Sequence, residues 1–157
     1  MSVGARSPSR PLPAAAAPSL ALVRRGSLAA LVLVVLEFGI GMYVNLYVTV
    51  PRGDHGRSVG SAIANGPAVL SVHAVVGLLL GLVALGVLAA AALARHAGAI
   101  AASAVGLFAL AFASVAGTGF TSSGKAADSM SMSVMAGVGL LCYAANLYWL
   151  RHGRRTG

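Results

Sequence analysis

Residues 66–93 read GPAVLSVHAVVGLLLGLVALGVLAAAAL, without one Asp, Glu, Lys or Arg. About 20 consecutive apolar residues suffice to cross the hydrocarbon core of a bilayer as an α-helix. This run predicts a membrane span, and working outward finds three more of its kind, at residues 27–50, 99–120 and 126–150. At about 1.5 Å per residue, residues 27–50 alone give roughly 36 Å of helix. Pro51-Arg52-Gly53-Asp54 ends the first run, Arg95-His96-Ala97-Gly98 separates the second from the third, and Thr121-Ser122-Ser123-Gly124-Lys125 is expected as the third connection. Asn65 is expected as an N-cap with Pro67 in the first turn, where its missing N–H costs little. Asp128 suits the start of the fourth helix by charge–dipole attraction.

Composition leaves few alternatives. Of 157 residues, 58% are hydrophobic and 9% charged, and mean hydropathy is +0.87. Soluble domains are about a quarter charged, so this chain has too little polar material to cover a soluble surface. One cysteine excludes a disulfide scaffold. The net charge of +8 would suggest nucleic acid in a soluble protein. Here the basic residues lie between apolar runs, so membrane topology accounts for them and no nucleic-acid partner is expected. The Ala, Gly, Val and Arg bias suits a high-GC bacterial genome.

Residues 1–26 read as a disordered basic arm, with Pro, Ala and Ser mixed and no helical or strand period. Arg24-Arg25 before an apolar run has the outline of a twin-arginine export signal, but no small-residue cleavage site follows and the run is long. The positive-inside rule sets the orientation. With the N-terminus inside, Arg6, Arg10, Arg24, Arg25, Arg95, Arg151, Arg154 and Arg155 are cytoplasmic, while Arg52, Arg57 and Lys125 are external. Both termini are therefore expected in the cytoplasm of a bacterial cell, residues 151–157 as a basic tail and residues 51–65 as an external loop. Short connections favour an all-α, up-down-up-down four-helix transmembrane bundle. Tyr43, Tyr47, Tyr148 and Trp149 near span ends suit an aromatic belt. Small residues, among them Gly77 and Gly81 on the second span, Gly106, Ala113 and Gly117 on the third, and Gly137 and Gly139 on the fourth, suit close helix contact in lipid. Asn45-Leu46-Tyr47 and Asn146-Leu147-Tyr148 echo one another at the ends of the first and fourth spans; three residues do not make an inverted repeat.

Glu37 carries the most information. An acidic residue at mid-span costs about 2.5–3.5 kcal/mol on insertion scales, so it should face the bundle, protonated or partnered. Glu37, Gly41 and Asn45 fall at i, i+4 and i+8, along one face. By depth, His73 shares the outer half of the bilayer with Asn45 and Ser131. These four, Glu37, Asn45, His73 and Ser131, are the expected lining of a ligand- or proton-binding pocket. Met130, Met132 and Met135 open the fourth span. Thioethers suit Cu(I), and a His/Met pair can ligate haem axially, so His73, Met132 and Met135 form a candidate copper or haem site. Adaptable core packing is the ordinary role of such methionines. No P-loop, G-x-S-x-G, H-E-x-x-H or C-x-x-C is present, so no catalytic residue is assigned and an enzyme is not expected.

Gly41-Met42-Tyr43-Val44-Asn45-Leu46-Tyr47-Val48-Thr49-Val50-Pro51, Asn65-Gly66-Pro67, His73 with Gly77-Leu78, and Ser131-Met132 leading to Tyr143 together resemble a group of small four-span integral membrane proteins of actinobacteria. The resemblance covers residues 27–150 and implies architecture without an activity. The expected function is a non-catalytic plasma-membrane protein with a polar pocket in its outer half. An accessory subunit of a larger membrane complex and an oligomeric proton-coupled transporter are the alternatives.

Overall fold

The computed structural model describes residues 16–48, 59–123 and 125–152, and among these every regular element is helical. The helices are α1 (Ala16–Tyr47), α2 (Val59–Asn65), α3 (Ala68–Leu93), α4 (Ala97–Ser123) and α5 (Ala126–His152). All but α2 are long and apolar enough to cross a membrane, over Pro18–Tyr47, Ala68–Leu93, Ala97–Ser123 and Ala126–Leu150. Helix is the form such segments take in lipid, where only intra-segment bonding satisfies every backbone N–H and C=O. The shortest span has 25 residues, or roughly 37 Å, more than the hydrocarbon core requires, so the ends reach the interfaces.

Each long helix buries a stripe whose members alternate three and four residues apart. On α1 the stripe runs Val23, Ser27, Ala30, Val34, Glu37, Gly41, Val44; on α3 it runs Leu70, His73, Gly77, Leu80, Ala84, Val87, Ala91. This 3.5-residue spacing is the seam of a left-handed helical bundle. The stripes close a ring in which α1 touches α3 and α5, and α4 touches the same two helices; α2 lies against α3 and α4. Outside the stripes the surface is greasy: Leu78, Phe108, Val115 and Leu141 are each about two-thirds open, at 67%, 69%, 66% and 68%. A soluble bundle would place charges there; lipid tails accept these side chains.

Contacts set the register. A Cβ on Gly26 would meet Val87 Cγ2 at 2.6 Å, and one on Gly77 would meet Glu37 Oε1 at 2.9 Å. On the α4–α5 seam, Gly98 faces Trp149, Gly106 faces Cys142 and Tyr143, Gly139 faces Leu110, and Gly117 faces Met132. Gly39, Gly81, Gly86 and Gly137 face open space. Gly77 therefore serves close approach, whereas Gly81, one turn along the same expected stripe, does not.

Several boundaries differ from the sequence expectation. α1 begins at Ala16, inside the segment read as a disordered arm; residues 1–15 lie outside the described residues. Pro18 stands in the first turn, where it needs no N–H partner, and Val23 is fully buried, so packing holds these turns. The expected external loop contains α2, and its last residue is Asn65. Pro67, not Asn65, is the N-cap of α3, with φ −56° and ψ 141° and no side-chain cap bond. α4 continues through the expected Thr121-Ser122-Ser123 turn, where Thr121 Oγ1 and Ser122 Oγ donate to the carbonyls of Thr118 and Gly119. Ser123 Oγ then donates to Asp128 Oδ2 at 2.7 Å, tying the end of α4 to the first turn of α5.

The α3–α4 turn is specified by two residues. The N–H groups of Arg95 and His96 reach back to the carbonyls of Ala92 (3.0 Å) and Ala91 (3.4 Å), a Schellman closure that puts Arg95 at φ 52°. His96 Nδ1 accepts the Ala99 N–H at 3.1 Å and caps α4. His96→Ala should therefore cost about 1 kcal/mol of stability, with His96→Asn retaining most of it. Arg95→Gly should gain about 1 kcal/mol by removing left-handed strain. Reversible unfolding in mixed micelles measures all three changes.

Candidate functional site

Two polar clusters lie on the buried stripes, at different depths. The first joins α1 to α3: His73 Nδ1 stands 3.0 Å from Glu37 Oε1, with side-chain exposures of 22% and 17%. The approach does not meet hydrogen-bond geometry at Nδ1, so the contact is a close approach and not an aligned bond. Glu37 Oε2 is buried without a partner. Glycines make the space: a Cβ at Gly77 would strike the carboxylate, and one at Gly41 would lie 3.1 Å from His73 Cε1.

The other expected pocket residues are elsewhere. Asn45 and Ser131 are exposed, and neither takes part in the Glu37–His73 contact. The reason is angular. The stripe passes from Glu37 through Gly41 to Val44, and Asn45, one residue on, is turned about 100° away from it. Ser131 likewise falls one residue short of Met132, which is half-buried on α5. Met132 turns its sulfur toward Gly117 of α4, 3.2 Å from where a Cβ would stand, while His73 turns toward α1. Met135 is half-buried on the same helix as Met132. Among the described residues, no three His, Cys, Asp or Glu side chains gather to hold a metal ion.

Sequence reasoning missed the second cluster. Asn146 Nδ2 donates to Ser103 Oγ at 3.0 Å and to Ser27 Oγ at 3.3 Å. All three residues are fully buried, and they link α5, α4 and α1. Tyr143, one turn away and also fully buried, lays its ring against Gly106. An amide inside a span, here four residues from its end, is the signal that could have pointed here, since hydrocarbon offers it no partner. Its resemblance to Asn45 drew attention to the tripeptide and away from depth: Asn45 is exposed and Asn146 is not.

The chain matches no known protein-family profile, no curated protein and no solved structure. The resemblance to small actinobacterial membrane proteins therefore gains no support from comparison, and what stands is four helices suited to crossing a membrane.

Gly77→Ala should separate Glu37 from His73 and destabilise the α1–α3 seam by about 1–3 kcal/mol. Gly81→Ala, facing open space, should be nearly neutral, so the pair of variants separates a steric effect from a helix-propensity effect. Ser103→Ala should cost about 0.6–1.7 kcal/mol, the range of interhelical polar contacts in membranes. Asn146→Ala should cost more, up to about 3 kcal/mol, because it strands two buried hydroxyls. Unfolding free energies in detergent check each value.

Proposed function

We propose that this chain is a small, non-catalytic, multi-pass protein of a bacterial plasma membrane, in which Glu37 and His73 together bind a proton. One observation carries the reading: an ionisable acid and an ionisable base meet at core positions of two spans, with one carboxylate oxygen buried and unpartnered. Intramembrane acids and histidines are costly, and proton binding is a common return for that cost. The glycine clearance around the pair supports it, because that space specifies the pair and not merely tight packing.

Helices alternating in direction, with both termini cytoplasmic, complete the proposal. Along α1 and α3 the contacts run in reverse order, Gly26 with Val87 and Gly41 with His73, and α4 and α5 behave alike. The end of the bundle carrying Arg24, Arg25 and Arg95 faces the cytoplasm by the positive-inside rule.

Proton uptake by the purified protein in a mild detergent should show a step that Glu37→Gln removes and His73→Gln displaces. Superimposable titration curves for the three proteins would sink the proposal. A Soret band or stoichiometric copper, lost in His73→Ala, would instead give the histidine to a cofactor. For orientation, a cysteine placed within residues 51–58 in a Cys142→Ser background should react with an impermeant maleimide applied to intact cells, and one after Arg155 only after lysis.

A further inference from the structure

This inference rests on the reading of Glu37 and His73 as a proton-binding pair and concerns the route by which the proton arrives. From the pair toward the 94–96 turn, the core closes on every helix. Val34 is 2% exposed, Leu80 3% and Leu110 8%, and in the next layer Ala30, Ala84 and Tyr143 are each 0%. Over that stretch α1, α3, α4 and α5 carry no Asp, Glu, Lys, Arg or His until Arg25, Arg95, His96 and Arg151. The titratable side chains there are Cys142 and Tyr143, with Tyr148 exposed near the end of α5. Glu37 and the Ala30–Tyr143 layer are seven residues apart along α1, or about 10 Å, and Val34, Leu80 and Leu110 are among the apolar residues that fill the core between them. A proton cannot hop that distance across aliphatic groups.

Toward the other end the core is thinner. Val44 and Leu70 are buried on the α1–α3 side, but on the α4–α5 side Gly117, Phe120 and Met132 are only half-covered. Asp128 and Lys125 lie beyond them, the first half-buried and the second exposed. Glu37 and His73 are themselves part-exposed, although they sit on the same stripes as the sealed positions.

We infer that the Glu37–His73 pair exchanges its proton with one side of the membrane alone, the side of α2, and that the Val34–Leu80–Leu110 layer is the seal against the other. The bundle then senses or stores a proton from one compartment and does not conduct it. The Ser27–Ser103–Asn146 cluster lies behind the seal and has no part in the exchange.

The test uses the full chain in a supported bilayer, held in one orientation by a C-terminal biotin tag, with infrared difference spectra after a pH step on either side. The Glu37 carboxyl band, assigned by its loss in Glu37→Gln, should follow a step on the α2 side and ignore one on the 94–96 side. Leu80→Ser should make the band respond to both sides; Val34→Ser serves where Leu80→Ser does not fold. Wild-type protein that responds to both sides, or only to the 94–96 side, overturns the one-sided route while leaving the proton-binding pair intact. A carboxyl band that follows neither step removes the proton-binding reading, and the route with it.

Discussion

Hydrocarbon gives a polar group no partner, and the arrangement of this bundle follows from that constraint. Each span can satisfy its backbone internally as a helix. A serine can still bond its own helix, as Ser114 does, but the amide and the ionisable side chains on the buried stripes turn to neighbouring helices. Glu37 finds His73, and Asn146 finds Ser27 and Ser103. Because these residues sit on different helices, satisfying them fixes which helices are neighbours and in what register. Leu, Val and Ala alone would not do so, since they are as content against lipid tails as against one another.

The two clusters do this in different ways. The amide–hydroxyl network is uncharged, fully buried and spread over three helices. It behaves as a fastener, whose strength does not depend on proton supply. The acid–imidazole pair joins two helices and is part-exposed, and each cluster leaves one oxygen unpartnered, Glu37 Oε2 and Asn146 Oδ1. Only the second can change charge, and changing charge in low dielectric carries a large energy. Packing around them differs accordingly. Tyr143 fills the groove over Gly106 beside the network, whereas Gly41 and Gly77 leave the pair unobstructed.

Much of the architecture was legible because hydropathy and length are what the membrane itself reads. The long helices lie within a few residues of the expected apolar runs, apart from the start of α1, where Pro and Ala obscured a helix that tertiary packing of Val23 sustains. Glu37 and His73 were legible as costly residues. Their company was not. A step of four residues from Gly41 led to Asn45, but the bundle's seam advances by three and a half, and over two turns that difference carries a side chain out of the core. In a chain apolar on every face, no amphipathic stripe exists to correct the phase. Ser27 and Ser103 were illegible for another reason: a serine in a span can bond its own helix, as Ser114 does to the Leu110 carbonyl, and nothing local marks the ones that reach across.

The same geometry explains why the pair is asymmetric in depth. On the stripe of α1 the residues toward Arg24 are Ser27, Ala30 and Val34, and α3 answers with Leu80, Ala84 and Val87, all of them buried. On the other side of Glu37 the stripe positions are filled by Gly41 on α1, His73 on α3 and Gly117 on α4. Two glycines and a flat ring fill less volume than the aliphatic side chains below, and the thioether of Met132 adapts to what remains. The pair at this boundary has a buried aliphatic floor and a looser roof. If the pair binds a proton as proposed, its charge state would follow the compartment above it and not the one below, which is what would separate a sensor or store of protons from a conduit.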